Sequence, residues 1–171
     1  MKKVGANGYN KYAYPVQMVF LKTRLDRESL CNDDSKTYII DRSIYEDKYI
    51  FAENQKRTNQ ISEEEYQEYL TFFNENCNAI KPLDVAVFIR AGTGVLVDRI
   101  KQRGRDMETS IDVNYLEDLG VLYDESLLPA LQEMGKGNLI VLVYDVEEID
   151  ADTLAKKCHL DILEAVSKKT V

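Results

Sequence analysis

Two groups of charged side chains in this sequence have the types and spacing to act on an anion. The first is Asp41-Arg42-Ser43, which follows the apolar run Tyr38-Ile39-Ile40 and precedes a helical pattern through Ile44, Asp47, Lys48 and Phe51. Tyr38-Ile39-Ile40 reads as the end of a strand. Open α/β sheets bind ligands beyond the carboxyl ends of their strands, so an acid, a guanidinium and a hydroxyl there can serve a reaction. The same three residues also read as a helix cap beside an ion-paired arginine, and the stretch alone leaves both readings open. The second group is Arg99, Lys101, Arg103 and Arg105. Arg99 and Arg103 stand one helical turn apart and repel each other. A nucleotide phosphate would relieve that repulsion, and arginine is suited to bidentate phosphate contacts. A solvated helix end pairing with nearby acids accounts for the cluster equally well.

These groups need elements to position them. Met1 to Asn10 reads as a loop, and Lys11 to Ser29 as a helix with Tyr14, Met18, Leu21 and Leu25 along one face. Gln17 and Arg24 are two turns apart and share a face of it. Thr37 to Asp41 is expected to be a strand, and Ser43 to about Lys56 a helix. Ser62 with Glu65 is a capping box opening a helix that runs to about Ile80, ahead of Pro82. Val85-Ala86-Val87-Phe88-Ile89 and Leu139-Ile140-Val141-Leu142-Val143-Tyr144 read as strands buried on both faces, the parallel type. Between them lie a helix from Val95 to about Gln102, a break at Arg103-Gly104-Arg105-Asp106-Met107-Glu108, and a helical region from Asp112 to about Met134 interrupted near Pro129. Asp150 to Ser167 is expected to close the chain as a helix. Strands alternating with helices imply a parallel sheet covered by helices.

Composition narrows the function. The chain has 171 residues, 44% apolar and 30% charged, which suits one soluble globular domain over residues 1–171. A net charge of −8 argues against a nucleic-acid binder with an overall basic surface. No apolar run approaches membrane-spanning length. Cys31, Cys77 and Cys158 lack C-x-x-C spacing, and read as reduced thiols of a cytoplasmic protein. His159 is the single histidine, so histidine-rich metal sites are excluded, and beside Cys158 it reads as a surface or structural residue.

Three segments together resemble one family. Asp41-Arg42-Ser43-Ile44-Tyr45-Glu46-Asp47-Lys48-Tyr49-Ile50-Phe51 is similar to the [DE]-R-S-x-Y-x-D-x-x-I-F signature of the deoxynucleoside kinases. Arg99-Ile100-Lys101-Gln102-Arg103-Gly104-Arg105-Asp106-Met107-Glu108 resembles that family's lid segment, and Gln17 with Arg24 its Q-x-x-x-x-x-x-R helix. The bacterial deoxyadenosine/deoxyguanosine kinase branch is the nearest in pattern. The resemblance implies an α/β fold with a three-layer parallel sheet flanked by helices, like that of P-loop kinases, and a homodimer. It implies ATP and Mg²⁺ as cofactors for phosphorylation of a deoxynucleoside 5′-hydroxyl. Gln17 would meet the base edge, Arg24 and Asp47 would act at the base, Phe51 would stack near it, and Glu108 would accept from the sugar 3′-hydroxyl. Asp41, Arg42 and Arg105 would be the catalytic residues, with Asp41 helping to hold Mg²⁺. Arg99, Arg103 and Arg105 would clamp the phosphates.

The sequence departs from that family in one respect. A phosphate cradle of the form G-x-x-x-x-G-K-[ST] occurs nowhere in these residues; Gly92-Thr93-Gly94 and Gly135-Lys136-Gly137 both read as turns. The family carries its cradle ahead of the Gln helix, so the expectation is an N-terminally truncated kinase, poorly active or inactive as this chain. The alternative is a non-catalytic relative that binds a nucleoside or a partner. Another small-molecule P-loop kinase, such as a nucleotide monophosphate kinase, agrees less well with Asp41-Arg42-Ser43 and Gln17.

Overall fold

The computed structural model describes residues 9–105, 111–147 and 149–169, the last without its side chain. The chain divides into two compact units, one of residues 1–82 with 121–127 and one of residues 83–120 with 128–171.

The first unit is helical. Helix α1, Ala13–Ser29, buries Leu21 and Leu25, which join Ile44, Ala52, Tyr69, Phe73 and Ile80 in one apolar core. Tyr14 and Met18 pack against that core, as their spacing on one helical face predicts. A turn follows at Asp33–Lys36, where the Lys36 N–H donates to the Asp33 carbonyl at 3.1 Å and the Ser35 N–H to Asp33 Oδ1 at 3.0 Å. The following residues do not form a strand. Residues 37–40 pair with no neighbour among the described residues, and Ile39 is 97% exposed. The expectation of a buried strand there is corrected: apolar β-formers still need a second strand for their backbone groups, and local propensity does not provide one.

Ser43 opens the next helical segment with a capping box. The Ser43 N–H donates to Glu46 Oε2 at 2.9 Å, and Ser43 Oγ accepts from the Tyr45 N–H at 3.4 Å. The segment consists of α2, Ile44–Glu46, a π-helical stretch Asp47–Ala52, and α3, Glu53–Arg57. The wide turn was not expected from a regular helical repeat. Helix α4, Glu63–Asn76, begins at Ser62 as the sequence predicts, with the Glu65 N–H donating to Ser62 Oγ at 3.1 Å. It ends in a 3₁₀ turn, Cys77–Ala79, ahead of Pro82. A second π-helical stretch, Tyr123–Leu127, packs against the first and buries Leu127.

The second unit holds two parallel strands, β1, Val85–Arg90, and β2, Ile140–Asp145. They run in register from Val85 opposite Ile140 to Arg90 opposite Asp145. The parallel arrangement is as expected, but burial on both faces is not. Val87, Ile89 and Val143 are 38%, 53% and 40% exposed. A continuous apolar run is fully buried only where a layer covers each face, and among the described residues of this unit these side chains lack that cover. Helix α5, Thr93–Arg103, ends at Gly104, whose φ of 64° gives the left-handed turn that glycine adopts without a Cβ clash. Helix α6, Val113–Leu122, runs into the π-helical stretch and then α7, Leu128–Gly135. The interruption falls just before Pro129, which has no N–H for the carbonyl four residues earlier. Helix α8, Ala151–Lys169, is tied to β2 where the Tyr144 hydroxyl donates to Asp161 Oδ2 at 2.6 Å.

Tyr69 is 0% exposed, and its hydroxyl has no hydrogen-bond partner among the described residues. A buried hydroxyl without a partner carries a desolvation cost of about 1–3 kcal/mol. Tyr69→Phe is therefore expected to leave stability unchanged or raise it by about 1 kcal/mol in urea unfolding. A loss above that size would show that the hydroxyl has a stabilising partner.

Candidate functional site

The site grows from the face of α1 that carries Gln17 and Arg24. Arg24 Nε donates to Asp47 Oδ2 at 2.5 Å, and the two side chains are 13% and 2% exposed. A charge pair taken this far out of water needs near-ideal geometry and further partners to hold. Arg24 has them: Nη1 donates to the carbonyls of Asp41 and Arg42 at 3.5 and 3.3 Å. Burial pushes the Asp47 carboxyl above its ordinary pKa, and the Arg24 guanidinium opposes that rise.

The Asp41-Arg42-Ser43 turn rests on the same helix. Arg27 Nη2 donates to the Asp41 carbonyl at 3.2 Å and to the Arg42 carbonyl at 2.6 Å. The Ile44 N–H donates to Glu28 Oε1 at 2.9 Å. Glu28 is buried, and burial lifts its carboxyl to about 7; the Ile44 N–H, Arg27 and Arg24 oppose the rise, while Glu46 adds to it. Arg42 has a φ of 60°, a left-handed conformation that costs a residue with a Cβ about 1–2 kcal/mol. Its guanidinium carbon lies 5.1 Å from the centre of the Phe51 ring, within cation–π range. Ser43 serves as the cap, so the capping reading of this turn holds: it begins a helix.

Gln17 lies two turns before Arg24 and is 7% exposed, and its Oε1 has no hydrogen-bond partner among the described residues. An amide both donates and accepts, so a buried one with an idle oxygen is equipped to meet a ligand edge. The structure thus brings Arg24, Asp41, Arg42, Asp47 and Phe51 together in the first unit, with Gln17 on the same helix. Arg99, Arg103 and Arg105 belong to the second unit. Arg99 Nη2 donates to the Val146 carbonyl at 2.8 Å, while Arg103 and Arg105 are exposed. Glu108 lies outside the described residues. Among the described residues no three His, Cys, Asp or Glu side chains group closely enough to hold a metal ion. Asp41 therefore offers a single exposed carboxylate, a donor set that fits Mg²⁺ where phosphates and water supply the other ligands.

Sequence reading missed Arg27, Glu28 and the strained backbone of Arg42. Arg27 and Glu28 stand three and four residues after Arg24, so helical spacing places them on the same side. Nothing in the residue type of Arg42 announces a positive φ.

The deoxynucleoside kinase family matches residues 7–171. The deoxyadenosine kinase of Dictyostelium discoideum is 25% identical over 146 residues, 85% of this chain and 58% of that protein. The deoxyadenosine/deoxycytidine kinase of Bacillus subtilis (strain 168) is 27% identical over 120 residues, 68% of this chain and 54% of that protein. The structure of deoxyadenosine kinase from M. mycoides with bound dCTP superposes with a TM-score of 0.72 at 24% identity, covering 90% of this chain and 75% of that one. That likeness shows the fold, an α/β arrangement of the P-loop kinase type. The chain spans about half the length of the curated relatives it matches.

Removing one member of the buried pair should strand the other. Arg24→Met is expected to lower unfolding free energy by about 3 kcal/mol or more at neutral pH, and Arg24→Met with Asp47→Leu by clearly less. Urea unfolding of both variants measures this, and a double variant no more stable than the single would refute the pairing argument. Glu28 gives a pH signature. Its folded-state pKa lies above the ordinary carboxylate value, so the protonated form is favoured by folding, and its contribution is lost as pH rises from about 4.5 to about 7. Glu28→Gln should remove that part of the loss in thermal unfolding across this range.

Proposed function

The chain belongs to the deoxynucleoside kinase family, and from that membership we propose that it serves ATP-dependent phosphorylation of a deoxynucleoside 5′-hydroxyl, with the acceptor nucleoside held by the face of α1 and the turn it carries. The observation that carries this reading is the buried Gln17 amide with its idle oxygen, two turns from the Arg24–Asp47 pair. A base edge supplies both a donor and an acceptor for such a group. In this reading Gln17 binds the base edge, Arg24 and Asp47 complete that recognition, and Phe51 stacks against the base. Purines are the favoured bases.

Arg42 would place its positive charge at the 5′ end of the nucleoside. Phosphoryl transfer spreads negative charge over the transferred oxygens, and fixed cations lower its barrier by meeting that charge. Mg²⁺, when bound, would neutralise phosphate charge, with Asp41 as its carboxylate partner. Arg99, Arg103 and Arg105 of the second unit would bind the phosphates; a guanidinium has five N–H donors, so the Val146 bond takes only part of the capacity of Arg99. Glu108 would accept from the 3′-hydroxyl. Both units would form one kinase domain, because the family match runs across them. Homodimerisation belongs to the same reading, supported by Val19 and Phe20, which stay 62% and 53% exposed on α1. The cytoplasm is the proposed compartment, in keeping with free Cys31, Cys77 and Cys158, and no helix among the described residues is long and apolar enough to cross a membrane.

The 171 residues contain no G-x-x-x-x-G-K-[ST]. That favours a second reading for the chain by itself: nucleoside binding without transfer. Equilibrium dialysis with the four deoxynucleosides, and transfer of labelled phosphate from ATP with Mg²⁺, separate the two. The expected result is purine deoxynucleoside binding with little transfer by this chain, and transfer once a strand and cradle segment from a relative is fused ahead of it. Gln17→Ala should weaken binding roughly tenfold. Failure of all four deoxynucleosides to bind would overturn the proposal, as would a Gln17→Ala variant that binds like the parent.

A further inference from the structure

We propose that Arg27 and Glu28 are positioning residues that fix the backbone of Arg42, so that its guanidinium is held ready for a phosphate on the 5′ end of the nucleoside. The inference deepens the nucleoside-site reading given above and rests on it.

Arg42 adopts a left-handed φ of 60° without being glycine. Such a conformation persists only where the surroundings over-determine it. Here the peptides on both sides of the residue are held. Arg27 Nη2 donates to the carbonyl before it, of Asp41, at 3.2 Å, and to its own carbonyl at 2.6 Å. Two residues on, the Ile44 N–H donates to Glu28 Oε1 at 2.9 Å. A cation thus takes the carbonyls and a carboxylate takes the amide, each matched to the polarity it meets. Both side chains come from the last turns of α1, which ends at Ser29. Arg24 also touches the two carbonyls, but it is committed to Asp47 as well. Glu28 is 3% exposed, so its oxygens are shielded from solvent and the bond to Ile44 is not exchanged freely for water.

With the backbone fixed, the side chain of Arg42 leaves the turn in one direction, over the ring of Phe51. A charge held before the ligand arrives costs little reorganisation when the phosphate is present. Loosening the turn leaves the charge on the molecule but lets it wander. The loss should therefore fall on ligands that carry a 5′-phosphate and spare the bare nucleoside.

The test uses the full chain with deoxyadenosine and its 5′-monophosphate as probes, and compares the ratio of their dissociation constants. The parent protein should prefer the monophosphate. Glu28→Ala and Arg27→Ala should each reduce that preference at least ~threefold while changing deoxyadenosine affinity less than ~twofold. Glu28→Gln, which keeps an acceptor oxygen for the Ile44 N–H, should retain it. Amide hydrogen exchange at Ile44 should be slow in the parent and in Glu28→Gln. Arg27→Ala leaves the buried carboxylate in place, so it reports on the inference even where Glu28→Ala fails to fold. An unchanged preference in Arg27→Ala, or equal losses of preference in Glu28→Gln and Glu28→Ala, would overturn the positioning role. A parent protein that binds neither probe would instead overturn the nucleoside-site reading beneath it.

Discussion

A guanidinium almost out of reach of water fixes much of the first unit. Arg24 sits on a helix that also buries Leu21 and Leu25, and its charge is answered by Asp47 and by two backbone carbonyls. Those partners lie on a different segment of the chain. The requirement that a buried charge be paired therefore joins α1 to the start of the next helix in addition to the apolar core. The core supplies attraction without direction; Leu21, Leu25, Ile44 and Phe73 could slide against each other at modest cost. The arginine supplies the direction. Arg27 and Glu28 extend the same arrangement by a turn, and a strained residue becomes tolerable because its neighbouring peptides have nowhere else to go.

Much of this was legible in the sequence, because the informative residues are those whose local chemistry has few solutions. Ser62 with Glu65 and Ser43 with Glu46 both form capping boxes, since side-chain oxygens at that spacing meet the free N–H groups of a first turn. The parallel strands β1 and β2 were also expected, as continuous apolar runs separated by helices. The resemblance names Arg24 and Asp47 together, and their ion pair joins α1 to the stretch Asp47–Ala52.

The parts that were not legible depend on partners distant in sequence. Tyr38-Ile39-Ile40 has the composition of a strand, but a strand is a relation between two segments, and composition describes only one. Val87 and Ile89 show the same limit: an apolar pattern states what a side chain would favour, and exposure depends on what covers it. The π-helical turn Asp47–Ala52 is a third case. Its residues are acceptable to an ordinary helix, and the widening sits where this stretch packs against Tyr123–Leu127. The left-handed Arg42 is held by side chains more than a dozen residues earlier, which no window around Arg42 contains.

Tyr69 has a consequence for watching this protein at work. The sequence has no tryptophan, so its 11 tyrosines dominate the intrinsic ultraviolet emission. Most phenols at a surface report only on bulk solvent. Tyr69 is enclosed, and Asp47 and Arg24 are near enough to bear on its hydroxyl electrostatically. Any rearrangement of that charge pair alters the field across one ring in a dark interior. The chain thus carries a native optical label beside its own candidate site, in a molecule where dyes and engineered indoles would otherwise be needed.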